Sequence, residues 1–302
     1  MPQLLAYSLV YGLIGVALVF VLWPTTDTGK RLLERWGVRG PTEQQSRQAA
    51  HHLRDQRLLA VPLLALGPVV SFYDTGFARF IVPLAIALLA AELMTAIRPV
   101  RGPRTATLTR RHWYDLVPRW SIAVLASLAT LAVLLAVTAL LVRPWANRAV
   151  AEVPATGTWR SADGTVITVS EDFRRQVASP VAWAVIGGAL VAMVAVLAVV
   201  WLTVRRASVA DVQVDAVLRT RNARGAVGLG MVWMATLVLL AGNRLSFLRS
   251  IHLPADAPTR PGWLDATVAA DFIGLPALLG AVAAWIWTAQ PSRRMPYVQA
   301  TT

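Results

Sequence analysis

The sequence predicts an all-α integral membrane protein: a bundle of about seven transmembrane helices with a small β-hairpin in an outer loop. Of its 302 residues, 56% are apolar and 15% are charged, whereas soluble domains are about 45–50% apolar and about 25% charged. The apolar residues form long blocks, and a bilayer core requires about 20 such residues per helix. Both observations indicate a single polytopic membrane domain over residues 1–302.

Seven apolar blocks are candidates for membrane spans. They cover residues 4–23, 58–73, 79–97, 120–142, 180–204, 226–243 and 266–288. Residues 58–97 form one block that is too long for a single helix at about 1.5 Å per residue, and Asp74, Thr75 and Gly76 interrupt it. It is therefore either two full spans or a re-entrant pair, and the sequence leaves both open.

Basic residues give the predicted orientation. With seven spans, 20 Arg and Lys residues fall on one side of the membrane and nine on the other. Cytoplasmic loops collect Arg and Lys, so we expect a plasma-membrane location with the N-terminus outside and the C-terminus in the cytoplasm. Trp23, Trp120 and Trp201 fall at predicted inner ends, where an aromatic belt lies in membrane proteins.

Composition also limits the chemistry. The absence of cysteine excludes disulfides, thiolate metal sites and cysteine nucleophiles. The chain has no P-loop, H-E-x-x-H or G-x-S-x-G motif, so we expect no enzyme activity, cofactor or metal. The net charge of +13 is explained by contact with anionic lipid headgroups, and no nucleic-acid partner is expected. The Ala/Val/Arg bias resembles multi-pass membrane proteins of high-GC actinobacteria, a compositional resemblance without a family motif.

The segments between the blocks differ in character. Residues 43–57 read as a polar helix with Thr42 as its N-cap. The outer loop 144–179 contains Asp163-Gly164 between β-branched residues, which predicts the hairpin. Residues 207–220 read as a short amphipathic helix along the inner face, and the tail 290–302 as a disordered cytoplasmic segment.

Two acidic residues inside predicted spans are the candidate functional residues. An ionised acid deep in lipid costs about 2.5–3.5 kcal/mol, so such residues are functional candidates by default. Glu92 lies near the inner interface and close to Arg98, so the favoured alternative is near-interface placement with snorkelling or a local pair. Asp271 lies near the outer end of the last span, and the functional and local-pair interpretations are evenly balanced. Arg244 and Arg249 are interpreted as solvated outer-loop charges, with an anion-attracting mouth as the alternative.

Helix breaks would strengthen the case for a transport site, because transporters build midplane sites from interrupted helices. The candidate breaks are Pro62, Gly67 and Pro68 in the second span and Gly274 and Pro276 in the last. The alternative is that proline is simply common in membrane helices.

A cytoplasmic partner protein would need a docking element on the inner side. The loop 205–225 is the only compact candidate, with Asp211, Asp215, Arg219, Arg221 and Arg224 as the docking residues. The first functional hypothesis is therefore a transporter or permease-like component. The second is a non-enzymatic sensory or accessory protein, and the third a lipid-acting enzyme. The sequence does not indicate the substrate, the partner or the oligomeric state.

Overall fold

The computed structural model describes most of the chain. The described residues are 13, 16–17, 23–65, 86, 88–94, 112–151, 158–160, 166–168, 171–205, 211–251 and 259–291. Almost all of the predicted span 4–23, half of the block 58–73, most of the block 79–97 and nearly all of the tail 290–302 lie outside them. Gly67, Pro68 and Arg98 also lie outside the described residues.

Helices account for nearly all of the regular structure in the described residues. In chain order they are α1 (Thr26–Arg35), α2 (Glu43–Ala65), α3 (Trp113–Leu116), α4 (Arg119–Ala151), α5 (Glu171–Ala178), α6 (Val181–Arg205), α7 (Val212–Arg249) and α8 (Ala269–Ala289). A 3₁₀ helix, Gly262–Val268, leads directly into α8.

Four helical stretches are long and apolar enough to cross a membrane. They are Arg119–Ala151, Phe173–Arg205, Gln213–Arg249 and Gly262–Ala289, and they contain the last four of the predicted blocks. The prediction of about seven transmembrane helices is therefore wrong, since four of the described helices qualify.

The helix α2 shows why apolar blocks overcount spans. It is polar as far as Arg57, so only its last eight residues, 58–65, belong to the apolar block that begins there. Residues 58–65, the described half of the block, continue a polar helix and do not begin a separate one.

Two short strands form a ribbon in the loop that follows α4. β1 (Thr158–Arg160) pairs antiparallel with β2 (Val166–Thr168), and Trp159 is opposite Ile167. The ribbon lies where Asp163-Gly164 predicts a turn, but among the described residues it joins no further strand. Over the described residues, the fold class is accordingly corrected to a helical protein with four candidate membrane spans, in which this ribbon is a minor loop feature.

The loop predicted over residues 144–179 is also shorter than that range. The helix α4 continues through Pro144 to Ala151, and α5 occupies residues 171–178. Proline removes one backbone donor from a helix, but here it does not end α4.

The chain divides into two compact units. The first comprises residues 1–125, 192–233 and 281–302, and the second comprises residues 126–191 and 234–280. Among the four candidate spans, α7 is the most deeply buried. Of its 18 most apolar consecutive residues 89% are buried, against 22–33% in the other three spans. Those three instead expose large apolar side chains such as Leu141, Val191 and Phe272, as lipid-facing helices do.

The first unit contains a small core built by α1, α2 and the beginning of α7. Its buried members are Leu33, Trp36, Val38, Ala49, Val214, Val217 and Leu218. Gly29 lets α1 approach α2 closely, because a Cβ atom at residue 29 would lie 2.2 Å from the Ser46 carbonyl oxygen. Gly37, with φ at +89°, then reverses the chain after α1.

In the second unit α7 and α8 pack at backbone distance. A Cβ atom at Gly274 would lie 3.0 Å from the Leu239 Cα atom, and one at Gly242 would lie 3.0 Å from the Ala270 carbonyl oxygen. The helix α8 continues through Gly274 and Pro276, so neither residue interrupts it. Small residues at membrane-helix contacts commonly have this packing role.

Most of the predicted loop 205–225 is helical, since Arg205 and residues 212–225 belong to helices. The helix α6 extends to Arg205 and α7 begins at Val212, so at most six residues connect them. The surface helix predicted over 207–220 is instead the first part of α7, which is 38 residues long. At about 1.5 Å per residue α7 is about 57 Å long, nearly twice the thickness of a hydrocarbon core.

Candidate functional site

The first unit places α2 alongside the beginning of α7. The Gln45 Nε2 amide donates to Asp211 Oδ2, and Arg221 Nη1 donates to Gln56 Oε1 at 3.1 Å. Position 56 is 11 residues after position 45, and position 221 is 10 residues after position 211. Because these separations are nearly equal, the two helices run in the same direction over this length.

The contact between Arg221 and Gln56 is part of a cluster that we call the inner polar site. It is defined by Gln56, Arg57, Glu92 and Arg221. The Gln56 amide is its centre, because Gln56 Oε1 accepts from Arg221 and Gln56 Nε2 donates to Glu92 Oε1. The Glu92 carboxylate, on the helical segment 88–94, is 5% exposed. One neutral amide thus connects a buried acid to a half-buried arginine.

A glycine on α7 makes room for this carboxylate. A Cβ atom at Gly225 would lie 3.2 Å from Glu92 Oε1, and Gly225 is one helical turn after Arg221. The Glu92 side chain therefore lies directly against the backbone of α7. A second contact between α2 and α7 comes from His52, whose Nε2 lies 3.2 Å from the Asn222 Oδ1 atom.

Arg57 lies at the edge of the inner polar site. Burial and then the positive charge of Arg221 lower the pKa of Arg57 from its ordinary value. Its Nη1 atom is buried and has no hydrogen-bond partner among the described residues. Buried donors almost always have a partner, so this atom calls for an explanation.

The remaining predicted docking residues lie on the same part of α7, and most of them are buried. Asp211 caps the helix, since its Oδ1 accepts from the Gln213 and Val214 amides at 3.0 and 3.1 Å. Asp215 and Arg219 form a buried ion pair at 2.7 Å. In this fold their charged groups are directed to partners within the protein.

Arg224 is used in the same way. Its Nε donates to the Leu116 carbonyl oxygen at 3.1 Å and its Nη1 to the Gln290 carbonyl oxygen at 3.2 Å. Its guanidinium carbon lies 5.5 Å from the centre of the Trp36 ring. Arg224 therefore joins the end of α3, the end of α8 and the turn after α1.

The second unit contains Asp271, the other acidic candidate. It forms an ion pair with Arg249, and the side chains are 27% and 15% exposed, respectively. Asp271 lies in the first turn of α8, where a carboxylate is also favoured by the helix dipole. The local-pair interpretation of Asp271 therefore has a partner, Arg249. For Glu92 the described partner is Gln56, and Arg98 lies outside the described residues.

Arg244 also lies in the second unit, and it is not a solvated loop charge. It is 7% exposed, and its Nη1 and Nη2 atoms each donate at 2.6 Å, to the carbonyl oxygens of Gln176 and Val177. Arg143 donates to the next carbonyl, that of Ala178, at 2.9 Å. Two arginines therefore cap the C-terminus of α5, where backbone carbonyls lack helical partners.

Sequence reasoning did not single out Gln56, Arg57, Gly29 or the caps of α5. Gln56 and Arg57 stand in a polar helix, where such residues are ordinary, and only a partner distant in sequence distinguishes them. Pro62 lies within α2, which continues to Ala65. Among the described residues, no group of three His, Asp or Glu side chains could hold a metal ion.

Comparisons with protein-family models, with curated proteins and with solved structures find no match to this chain. Its function is therefore argued from the inner polar site and its surroundings.

Proposed function

We propose that the chain is a component of a membrane transport system and that the inner polar site handles a charged solute. The observation that carries the proposal is the buried carboxylate of Glu92, bound by Gln56, which Arg221 binds in turn. Buried charges are expensive, and well-packed apolar residues often stabilise a fold as well or better. An ionisable group that is buried beside a specific charged partner is a functional-site candidate.

The same proposal includes an orientation. The beginning of α4, the end of α6, the beginning of α7 and the end of α8 share one face of the membrane if all four helices cross it. From Arg98 onwards, 13 of the 21 arginines fall near these ends in the sequence, including Arg119 and Arg205. By the rule that cytoplasmic loops are basic, we place this face in the cytoplasm of a plasma membrane, with the C-terminus inside. An outside N-terminus stays a prediction.

A sensory or accessory role is the second candidate. It is favoured by the ion pair of Asp271 with Arg249 and by the packing of Gly274 on Leu239, which give local roles to two transport candidates. A cytoplasmic partner would then contact exposed cations on α1, such as Lys30, Arg31 and Arg35, because Asp215, Arg219 and Arg224 are buried.

Uptake by membrane vesicles tests the transport proposal without removing any native subunit. Vesicles from source cells that lack the chain are compared with vesicles complemented by the wild-type chain or by Glu92→Gln. The probes are labelled phosphate, sulfate, acetate and succinate. We expect uptake of one probe to require the chain and to fall about tenfold or more in Glu92→Gln, because this variant removes the carboxylate of the site, the group that can take up and release a proton.

Asp271→Asn is the matched control, since it neutralises an acid that has its own local partner. We expect this variant to retain uptake. If no probe depends on the chain, the transport proposal fails. Affinity purification in mild detergent would then be the test of the accessory role.

A further inference from the structure

The inner polar site contains more positive than negative charge. Arg57 and Arg221 contribute two cationic groups, and Glu92 contributes one carboxylate. Asp55, two residues before Arg57, is exposed to solvent, where its charge is screened. The site as it stands therefore has a surplus cation in a partly dehydrated position, where charge interactions are stronger than in water.

One charged donor of the inner polar site has no hydrogen-bond acceptor among the described residues. Gln56 takes one hydrogen bond from Arg221 and gives one to Glu92, so its amide is used on both sides. The Arg57 Nη1 atom is buried and receives no acceptor from the described residues. An unsatisfied donor of a charged group is costly, and an acceptor with negative charge would remove the cost and balance the site.

Guanidinium groups favour one class of acceptor in particular. Their planar arrangement of donors matches the oxygens of phosphate, which they can bind through two hydrogen bonds. Arg57 is the last polar residue of α2 before Leu58, and Arg221 lies one turn before Gly225, where the polar part of α7 gives way to its apolar part. Both guanidinium groups thus stand at the boundary between polar and apolar structure, where a phosphate can be free or part of a lipid headgroup.

We propose that Arg57 and Arg221 together bind a phosphate-type oxyanion, either free phosphate or the headgroup of an anionic phospholipid. The inference rests on the proposed function in that it names the charged ligand of the same site. The binding itself requires no transport, so failure of this inference and failure of the proposed function are distinguishable.

Thermal unfolding of the purified full chain in detergent tests the inference. A ligand that binds only the folded state raises Tm in proportion to the logarithm of its concentration. One arm adds sodium phosphate against sodium chloride at equal ionic strength, because salt screens exposed charges. The other adds phosphatidylglycerol against phosphatidylcholine to the micelles. We expect one of the two arms to raise Tm by about 3 °C or more.

Three variants identify the residues. Arg57→Gln should remove the rise in Tm while the unliganded Tm stays close to that of the wild type, because Arg57 is only half-buried. Arg57→Lys should restore part of the rise, since lysine keeps the charge but not the planar donors. Arg47→Gln is the matched control on the same helix, where Arg47 pairs with Glu43 at the surface, and it should respond as the wild type does.

The outcomes are unambiguous. A response to phosphate identifies a free anion as the ligand, and a response to phosphatidylglycerol alone identifies a headgroup, and either supports the inference. A wild-type chain that responds in neither arm overturns it. So does a response that Arg57→Gln leaves intact.

Discussion

The two ends of α7 use buried arginines in different ways. At its beginning, in the first unit, Arg221 binds the side chain of Gln56, which in turn binds the ionisable Glu92. Towards its end, in the second unit, Arg244 donates to two backbone carbonyls, those of Gln176 and Val177, and its guanidinium lies over the Phe247 ring. A carbonyl cannot change charge, whereas a carboxylate can. The partners of a buried arginine, and not its burial, therefore separate a structural role from a functional one.

The largest effect on stability is expected for Arg244, near the end of α7, which binds backbone carbonyls. Arg244→Met should lower the free energy of unfolding by about 3 kcal/mol, because two buried carbonyl oxygens lose charged donors. Arg244→Lys should recover little, since one ammonium group lacks the fork that reaches both oxygens. Tryptophan fluorescence during thermal unfolding in detergent provides the measurement, and an unchanged Tm in Arg244→Met would contradict the capping role.

Gly29→Ala should give the next largest effect, in the unit that holds the inner polar site. The new Cβ atom would meet the Ser46 carbonyl oxygen at 2.2 Å, so α1 must move away from α2. Overpacking of this kind costs about 1–3 kcal/mol. Gly280→Ala is the control, because a Cβ atom there meets nothing within 4 Å. Equal Tm values for the two variants would show that α1 does not pack on α2 as described.

Asp271→Asn should have a smaller effect on stability. The ion pair with Arg249 is partly exposed, and such pairs contribute about 0–1 kcal/mol. The effect should shrink further in high salt, which screens exposed charges. A loss of several kcal/mol would mean that Asp271 has a role beyond this pair, and would revive it as a functional candidate.

Glu92→Gln should change stability least of all. Glutamine has nearly the same shape, and its side-chain oxygen can still accept from Gln56. Because burial raises the pKa of Glu92 to about 7, a neutral side chain there costs little near neutral pH, and the free energy of unfolding should stay within about 1 kcal/mol of the wild type. A large fall in Tm would indicate that the charge itself holds the fold together, which would weaken the proposed functional role.

The sequence predicts the membrane class and four of the spans because these depend on composition alone. It also predicts the start of α2, where Thr42 Oγ1 accepts from the Gln45 amide and Gln45 Oε1 accepts from the Thr42 amide. Capping is local, so three residues suffice to recognise it. The apolar blocks 120–142 and 266–288 likewise identify α4 and α8 without any knowledge of their neighbours.

The beginning of α7 could not be predicted in this way. Asp215, Arg219 and Arg224 look like residues of a solvated loop, because hydropathy records a side chain and not its partner. Arg219 and Arg224 can be buried because Thr203, Leu116 and Gln290 supply carbonyl acceptors from other parts of the chain, and Asp215 pairs with Arg219. For the same reason Glu92 could be named as a candidate from its position, whereas its partner Gln56 could not.

Solute uptake by complemented vesicles tests most directly whether the inner polar site handles a charged solute. Uptake is measured for Glu92→Gln beside Asp271→Asn and divided by the amount of folded protein. We expect uptake to be lost in Glu92→Gln and kept in Asp271→Asn, although both variants remain folded. The reverse pattern, with uptake lost in Asp271→Asn and kept in Glu92→Gln, would contradict it.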